Sequence, residues 1–258
     1  MKALVICLII IAIAASYPVG ALSTEQQASD GVSDAYIFPL RPGMPEWKEL
    51  KSHAEMLAAC QIPEELLAKM STEGLVRTCL NYPMAYDAFA YDSFQTGLKS
   101  VIASFNGLQE LITRPNVGSV LLRAYKDMDP LNLPDCGYTA RNVCRFQFMY
   151  IELLLAEDAV IAGMGANDRR ALLEESYRKY VSKRSDSTYA LIELGPSAFL
   201  MSTILLTDGF EPYRAMSEEN EELRTFIEGG LLRSGPVLKD IADSVEQFLV
   251  KPLEKEGQ

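Results

Sequence analysis

Thr139-Ala140-Arg141-Asn142-Val143-Cys144-Arg145-Phe146-Gln147-Phe148-Met149-Tyr150-Ile151-Glu152-Leu153-Leu154-Leu155 is the stretch whose reading decides the fold. Val143, Phe146, Phe148, Met149, Ile151, Leu153, Leu154 and Leu155 put apolar side chains on almost every face of a helix capped by Thr139. A helix that is apolar all round has to be surrounded by other elements, so this one belongs at the centre of a helical protein. Glu152 alone interrupts its apolar run toward the C-terminal end.

Outward from this helix, the same periodicity recurs in short units. Upstream, Pro45, Pro63 and Pro115 suit helix starts, Ser71 or Thr72 suits a cap, and Pro83 suits a stop. Phe89, Phe94, Leu98, Val101, Ile102 and Phe105 mark a helix with an expected interruption near Gly97. Downstream, Leu172, Leu173, Tyr177, Tyr180 and Val181 define one apolar face, and Ser197 to Leu206, opened by Gly195-Pro196, is again apolar nearly all round. Ser217 is expected to cap a helix through Leu223, Phe226 and Ile227, and the last helix runs from about Pro236 to Val250. Alternating runs rich in Val, Ile and Thr are absent, so no strand is expected. The fold class that follows is all-α: an irregular array or bundle of about ten short helices, with an α-α superhelix-like, repeat-like arrangement as its variant because helix starts recur every ~20 residues.

The chain has 258 residues, 48% hydrophobic and 23% charged. That is the balance of a protein with a sizeable core. Met1 to Ala21 has the anatomy of a signal peptide: Lys2, the apolar run Ala3 to Ala15, and a region of small residues before Ala21. The run is too short to span a bilayer, which takes about 20 apolar residues. Residues 22–44 are expected to form a flexible tether followed by an extended segment with Tyr36, Ile37, Phe38 and Leu40 between prolines, and residues 45–258 one helical domain. Loss of the leader removes Cys7 and leaves Cys60, Cys79, Cys136 and Cys144, an even number in a secreted or periplasmic protein. Proximity favours a Cys136–Cys144 disulfide, with Cys60 then pairing with Cys79. The formal charge of −11 becomes −12 without Lys2. With no basic cluster beyond Arg169-Arg170 and Lys183-Arg184, that balance argues against nucleic acid and anionic membranes as partners.

The motifs of catalysis are missing. His53 is the only histidine, no Cys-x-x-Cys occurs, and Gly-x-Ser-x-Gly is absent, so no metal site, cofactor site or nucleophile elbow is expected. Paired carboxylates are the remaining chemistry, since glycoside hydrolysis needs only two. Glu110, in an apolar context, and Glu152, in the central helix, are the candidates; each is otherwise explained by an ion pair, Glu110 with Arg114 and Glu152 with an arginine of a neighbouring helix. Tyr82, Tyr86, Asp87, Tyr91 and Asp92 form a candidate binding group, because clustered aromatics beside carboxylates can stack on sugar or peptide; at helical spacing they also suit a core.

The segments Gln61-Ile62-Pro63-Glu64-Glu65-Leu66-Leu67-Ala68-Lys69-Met70-Ser71-Thr72-Glu73-Gly74-Leu75-Val76 through Asn81-Tyr82-Pro83, and Phe105-Asn106-Gly107-Leu108-Gln109-Glu110-Leu111, resemble a group of exported bacterial proteins that has no assigned activity. The likeness covers roughly Trp47 to Tyr125 and implies export and a helical fold, with no catalytic residue carried over. The expected function is therefore a non-enzymatic extracytoplasmic interaction protein whose partner is a protein or glycan; the alternative is a carboxylate-dependent hydrolase acting on glycan or cell-wall material.

Overall fold

The computed structural model describes residues 34–132, 137–232 and 234–250, with backbone alone for 137–140. The expected signal peptide, the tether as far as residue 33, and Cys136 lie outside the described residues. Every regular element among the described residues is helical. The chain runs through α1 (His53–Ala59), α2 (Glu64–Leu67), α3 (Thr72–Leu80), α4 (Phe94–Ser104), α5 (Asn106–Leu111), α6 (Val117–Asp127) and α7 (Gly137–Leu155). It continues through α8 (Asp158–Ala162), α9 (Ala166–Ser185), α10 (Leu191–Thr207), α11 (Glu211–Glu219), α12 (Glu221–Gly229) and α13 (Gly235–Val250). Two 3-10 turns, Glu46–Glu49 and Ala85–Phe89, complete it.

The all-round apolar helices are the central ones, as their composition requires. α10 packs on α7, α9 and α13, and α7 also packs on α6, α4 and α3, so that α7 joins the earlier helices to the later ones. The buried apolar side chains, from Phe38 to Val245, form one continuous cluster. Among the described residues no single helix is long and apolar enough to cross a membrane.

Helix ends follow short-range chemistry. Ser52, Ser71, Ser93 and Asn220 accept hydrogen bonds from backbone N–H groups two or three residues into α1, α3, α4 and α12. Asn220, not Ser217, is thus the cap of α12; Ser217 lies inside α11 and donates its hydroxyl to Arg214 O. Likewise the helix expected to open at Ser197 begins at Leu191, and Pro196 sits within it. Glu193 makes this early start possible: its carboxylate accepts the Ala190 N–H at 2.7 Å and so satisfies a donor at the helix start. Gly97 is not a break in α4. A Cβ there would stand 1.8 Å from Ala88 O, so the glycine is where the Ala85–Phe89 turn presses on an unbroken helix.

Residues 61–72 and 106–116 clasp one another. Asn106 Oδ1 accepts from Ile62 N at 3.0 Å and its Nδ2 donates to Ile62 O at 2.7 Å, while Gln61 Oε1 accepts from Asn106 N at 3.1 Å. Arg114 reaches Met70 O at 3.2 Å and Thr72 Oγ1 donates to Asn116 Oδ1 at 2.8 Å. Polar side chains thus satisfy backbone groups at irregular junctions where no regular ladder exists.

The expected Cys60–Cys79 disulfide is not formed. Both are separate buried thiols. Burial alone pushes the Cys60 thiol up to about 12 and that of Cys79 well above its ordinary value, so each behaves as a small hydrophobe. Cys144 is also buried, and its expected pairing with Cys136 falls outside the described residues.

Candidate functional site

Glu152 is the polar centre of the molecule, and four helices converge on it. Its side chain has 0% exposure on α7, at a position otherwise flanked by Ile151, Leu153, Leu154 and Leu155. A carboxylate there requires compensation for its lost hydration. α9 supplies it: Lys183 Nζ lies 2.9 Å from Oε1 and 3.0 Å from Oε2. Tyr125 Oη of α6 donates to Oε1 at 2.8 Å, and Ser197 Oγ of α10 donates to the same oxygen at 2.8 Å. Burial first, and then the adjacent Glu152 charge, push the Tyr125 hydroxyl well above its usual value, so it stays a donor.

One turn before Lys183, Lys179 is also fully buried. Its ammonium donates to Met128 O, lies 3.0 Å from Glu175 Oε1, and stands 4.8 Å from the Tyr125 ring centroid and 5.6 Å from that of Phe148. Burial lowers its pKa, and the Glu175 carboxylate offsets part of that. Glu175 is raised by burial and lowered by hydrogen bonds from Arg178 and Lys179, the latter winning. Glu152, Lys183 and Lys179 are therefore buried charges with partners, and the fourth group, Glu175, reaches the surface, where the exposed Arg178 also holds it.

Each candidate named from sequence has a definite place. Glu110 is paired with Arg114 Nε at 2.7 Å, one turn along. Tyr82 is buried and stacks on Phe105 with centroids 3.9 Å apart. Tyr86 stacks on Phe146 at 3.8 Å, and burial pushes its hydroxyl up to about 12. Asp87 meets His53 Nε2 at 2.7 Å. Tyr91 is exposed and its hydroxyl shares a 2.7 Å hydrogen bond with Ser100, and Asp92 beside it is exposed. The aromatics thus stack mainly on one another and on α7, and the structure does not gather them with Glu110 and Glu152 around one concave surface.

Sequence reasoning missed Lys179, Lys183, Tyr125 and Ser197 as partners of Glu152, reading Lys183 only as part of a basic pair and Val181 as part of the apolar face. Lys183 is buried and Val181 exposed. An isolated glutamate in an apolar helix does call for a partner, but Ser176, Lys179 and Lys183 on one face of α9 read as a solvated face until Glu152 lies opposite them.

Two surface features remain. A shallow depression of about 700 Å³ between α11 and α12 is lined by Pro212, Met216, Glu219 and Glu222 among others. At another corner, Tyr189 Oη donates to Pro130 O at 2.6 Å, and Arg145 lies 4.1 Å over the Tyr189 ring. Beside this tie Leu131, Leu191 and Ile192 are 55%, 46% and 58% exposed. No family model, curated protein or solved structure matches the chain.

Proposed function

We propose that the protein is an exported, non-enzymatic interaction protein that presents a rigid helical surface to an extracytoplasmic protein or glycan. The observation that supports this reading is the engagement of the two candidate carboxylates. Glu152 spends its acceptors on Lys183, Tyr125 and Ser197 away from solvent, and Glu110 is held by Arg114. A glycosidase needs one carboxylic acid and one carboxylate facing a sugar from either side; Glu152 is fully buried, and Glu110, 38% exposed, is paired with Arg114. The exposed corner of Leu131, Leu191 and Ile192, next to the aromatic ring of Tyr189 and the guanidinium of Arg145, suits a contact surface. Apolar side chains rimmed by aromatic and arginine groups are the usual composition of binding patches. The signal-peptide anatomy of residues 1–21 supports the export part of this reading.

The test is capture from the extracytoplasmic fraction with the processed protein, alongside a Leu191→Ser/Ile192→Ser variant. Partner recovery by the parent and its loss in the variant, with an unchanged helical spectrum, is expected. Turnover of a glycan or peptidoglycan substrate that disappears in Glu110→Gln would overturn the proposal and restore the hydrolase reading.

A further inference from the structure

Between Phe38 and Cys60 the chain runs without one fully buried side chain. Both ends of that stretch are anchored. Phe38 is buried with its ring 6.0 Å from those of Tyr82 and Phe105, and Cys60 and Ile62 are buried at the clasp that Gln61 makes with Asn106. In between, the 3-10 turn Glu46–Glu49 and α1 rest on the core through the half-buried Trp47, Met56 and Leu57. A segment with so little buried apolar surface between two fixed ends opens more readily than the central helices.

His53, the only histidine, begins α1, and its Nε2 stands 2.7 Å from Asp87 Oδ2, 34 residues along the chain. Asp87 is a fixed post. Its turn, Ala85–Phe89, is pressed against α4 at Gly97, and Tyr86 beside it stacks on Phe146 of α7 at 3.8 Å. The pair therefore pins the N-terminal end of α1 to the body, at the end opposite to the buried clasp.

We propose that residues 39–59 are a pH-gated flap, held shut by the His53–Asp87 contact in acid and released toward neutral pH. An imidazolium donates a charge-assisted hydrogen bond to the Asp87 carboxylate, whereas a neutral imidazole keeps at most an uncharged N–H. Histidine ordinarily changes charge near about pH 6.5 and carboxylates near about pH 4, so between pH 5 and pH 8 the imidazole is the member of the pair that switches. The neighbouring charges do not replace it. Glu49 and Lys51 precede His53 and Glu55 follows it, and the Glu55 carboxylate already accepts the Lys51 N–H at 2.8 Å. On the body side the Tyr82 hydroxyl also feels Asp87, but burial pushes its pKa up and keeps it uncharged. The side chains of His53 and Asp87 are 61% and 33% exposed, so the latch is graded: opening is expected to rise about three- to fivefold from pH 5 to pH 8. Release bares the apolar sides of Trp47, Met56 and Leu57 together with the part of the core they cover.

The experiment is hydrogen exchange of the full chain from pH 5 to pH 8, corrected for the intrinsic pH dependence of exchange. Acrylamide quenching of Trp47, the only tryptophan, is followed in parallel. Amides of α1 are expected to exchange about three- to fivefold faster at pH 8 than at pH 5 while those of α7 and α10 do not change, and quenching of Trp47 is expected to rise over the same interval. His53→Gln is expected to abolish the dependence and Asp87→Asn to reduce it, with α1 near its pH 8 level throughout and the helical spectrum unchanged. The flap is overturned by α1 exchange that ignores pH in the parent, by a dependence that survives His53→Gln or is undiminished in Asp87→Asn, or by α1 amides that exchange only together with those of α7.

Discussion

Glu152 shows how a single buried charge organises its neighbours. Removing one member of its pair, as in Glu152→Gln or Lys183→Met, leaves the other charge without its partner, and we expect a loss of about 3–5 kcal/mol in denaturant unfolding. Replacing the group together, Glu152→Leu with Lys183→Met, Tyr125→Phe and Ser197→Ala, is expected to cost less than either single change, because no polar group is then stranded. Tyr150 presents the opposite case. Its hydroxyl is fully buried and has no hydrogen-bond partner among the described residues, so Tyr150→Phe is expected to stabilise by about 1 kcal/mol. Asp34 sets a pH dependence. The Ser71 N–H holds its carboxyl below the ordinary value, so its contribution is complete above the unfolded pKa of about 3.9 and fades as pH falls through the lower folded value. Asp34 is exposed, which limits the effect: Asp34→Asn is expected to cost about 0.5 kcal/mol at pH 7, and the difference from the parent should close below about pH 4.

Elements are placed by contacts that helix propensity does not record. In an isolated helix Gly97→Ala would raise stability, yet in α4 the added carbon meets Ala88 O at 1.8 Å. We expect Gly97→Ala to destabilise by about 1–3 kcal/mol, read as a lowered thermal midpoint, with the turn Ala85–Phe89 displaced from α4. α10 makes a related point. Pro196 withholds an N–H from the middle of that helix, and the cost is borne where α7, α9 and α13 surround it on three sides. α9 carries the reverse arrangement, for its charged sequence offers little amphipathic contrast, and its two inward lysines become legible only beside Glu152 and Glu175.

Across the whole molecule, one apolar cluster runs from Phe38 to Val245, so loss of packing should be cooperative. Buried thiols offer the measurement: Cys60 and Cys79 should resist alkylation in the native protein and react together on unfolding, at the same denaturant concentration at which helical signal is lost. The class of the fold was legible because local rules set it: proline and serine at helix ends, and apolar residues repeating without strand alternation, fix helices through interactions a few residues long. The central place of α7 was legible for the same reason, since residues 143–155 leave little polar face. The occupants of the interior polar site were not. Lys183 is 31 positions from Glu152, Tyr125 27 and Ser197 45, and such partners are chosen by which helix faces meet. The separation of the Cys60 and Cys79 thiols and the seating of Asp34 on Ser71, 37 residues away, were decided in the same way. Sequence by itself determined that helices form and set some of their starts, at Pro63, Ser71 and Pro236, because that chemistry is local, although α7 starts at Gly137, ahead of the expected Thr139 cap. Only the tertiary structure decided which charges, thiols and aromatic rings share a neighbourhood, because burial and distance exist only once the helices have packed.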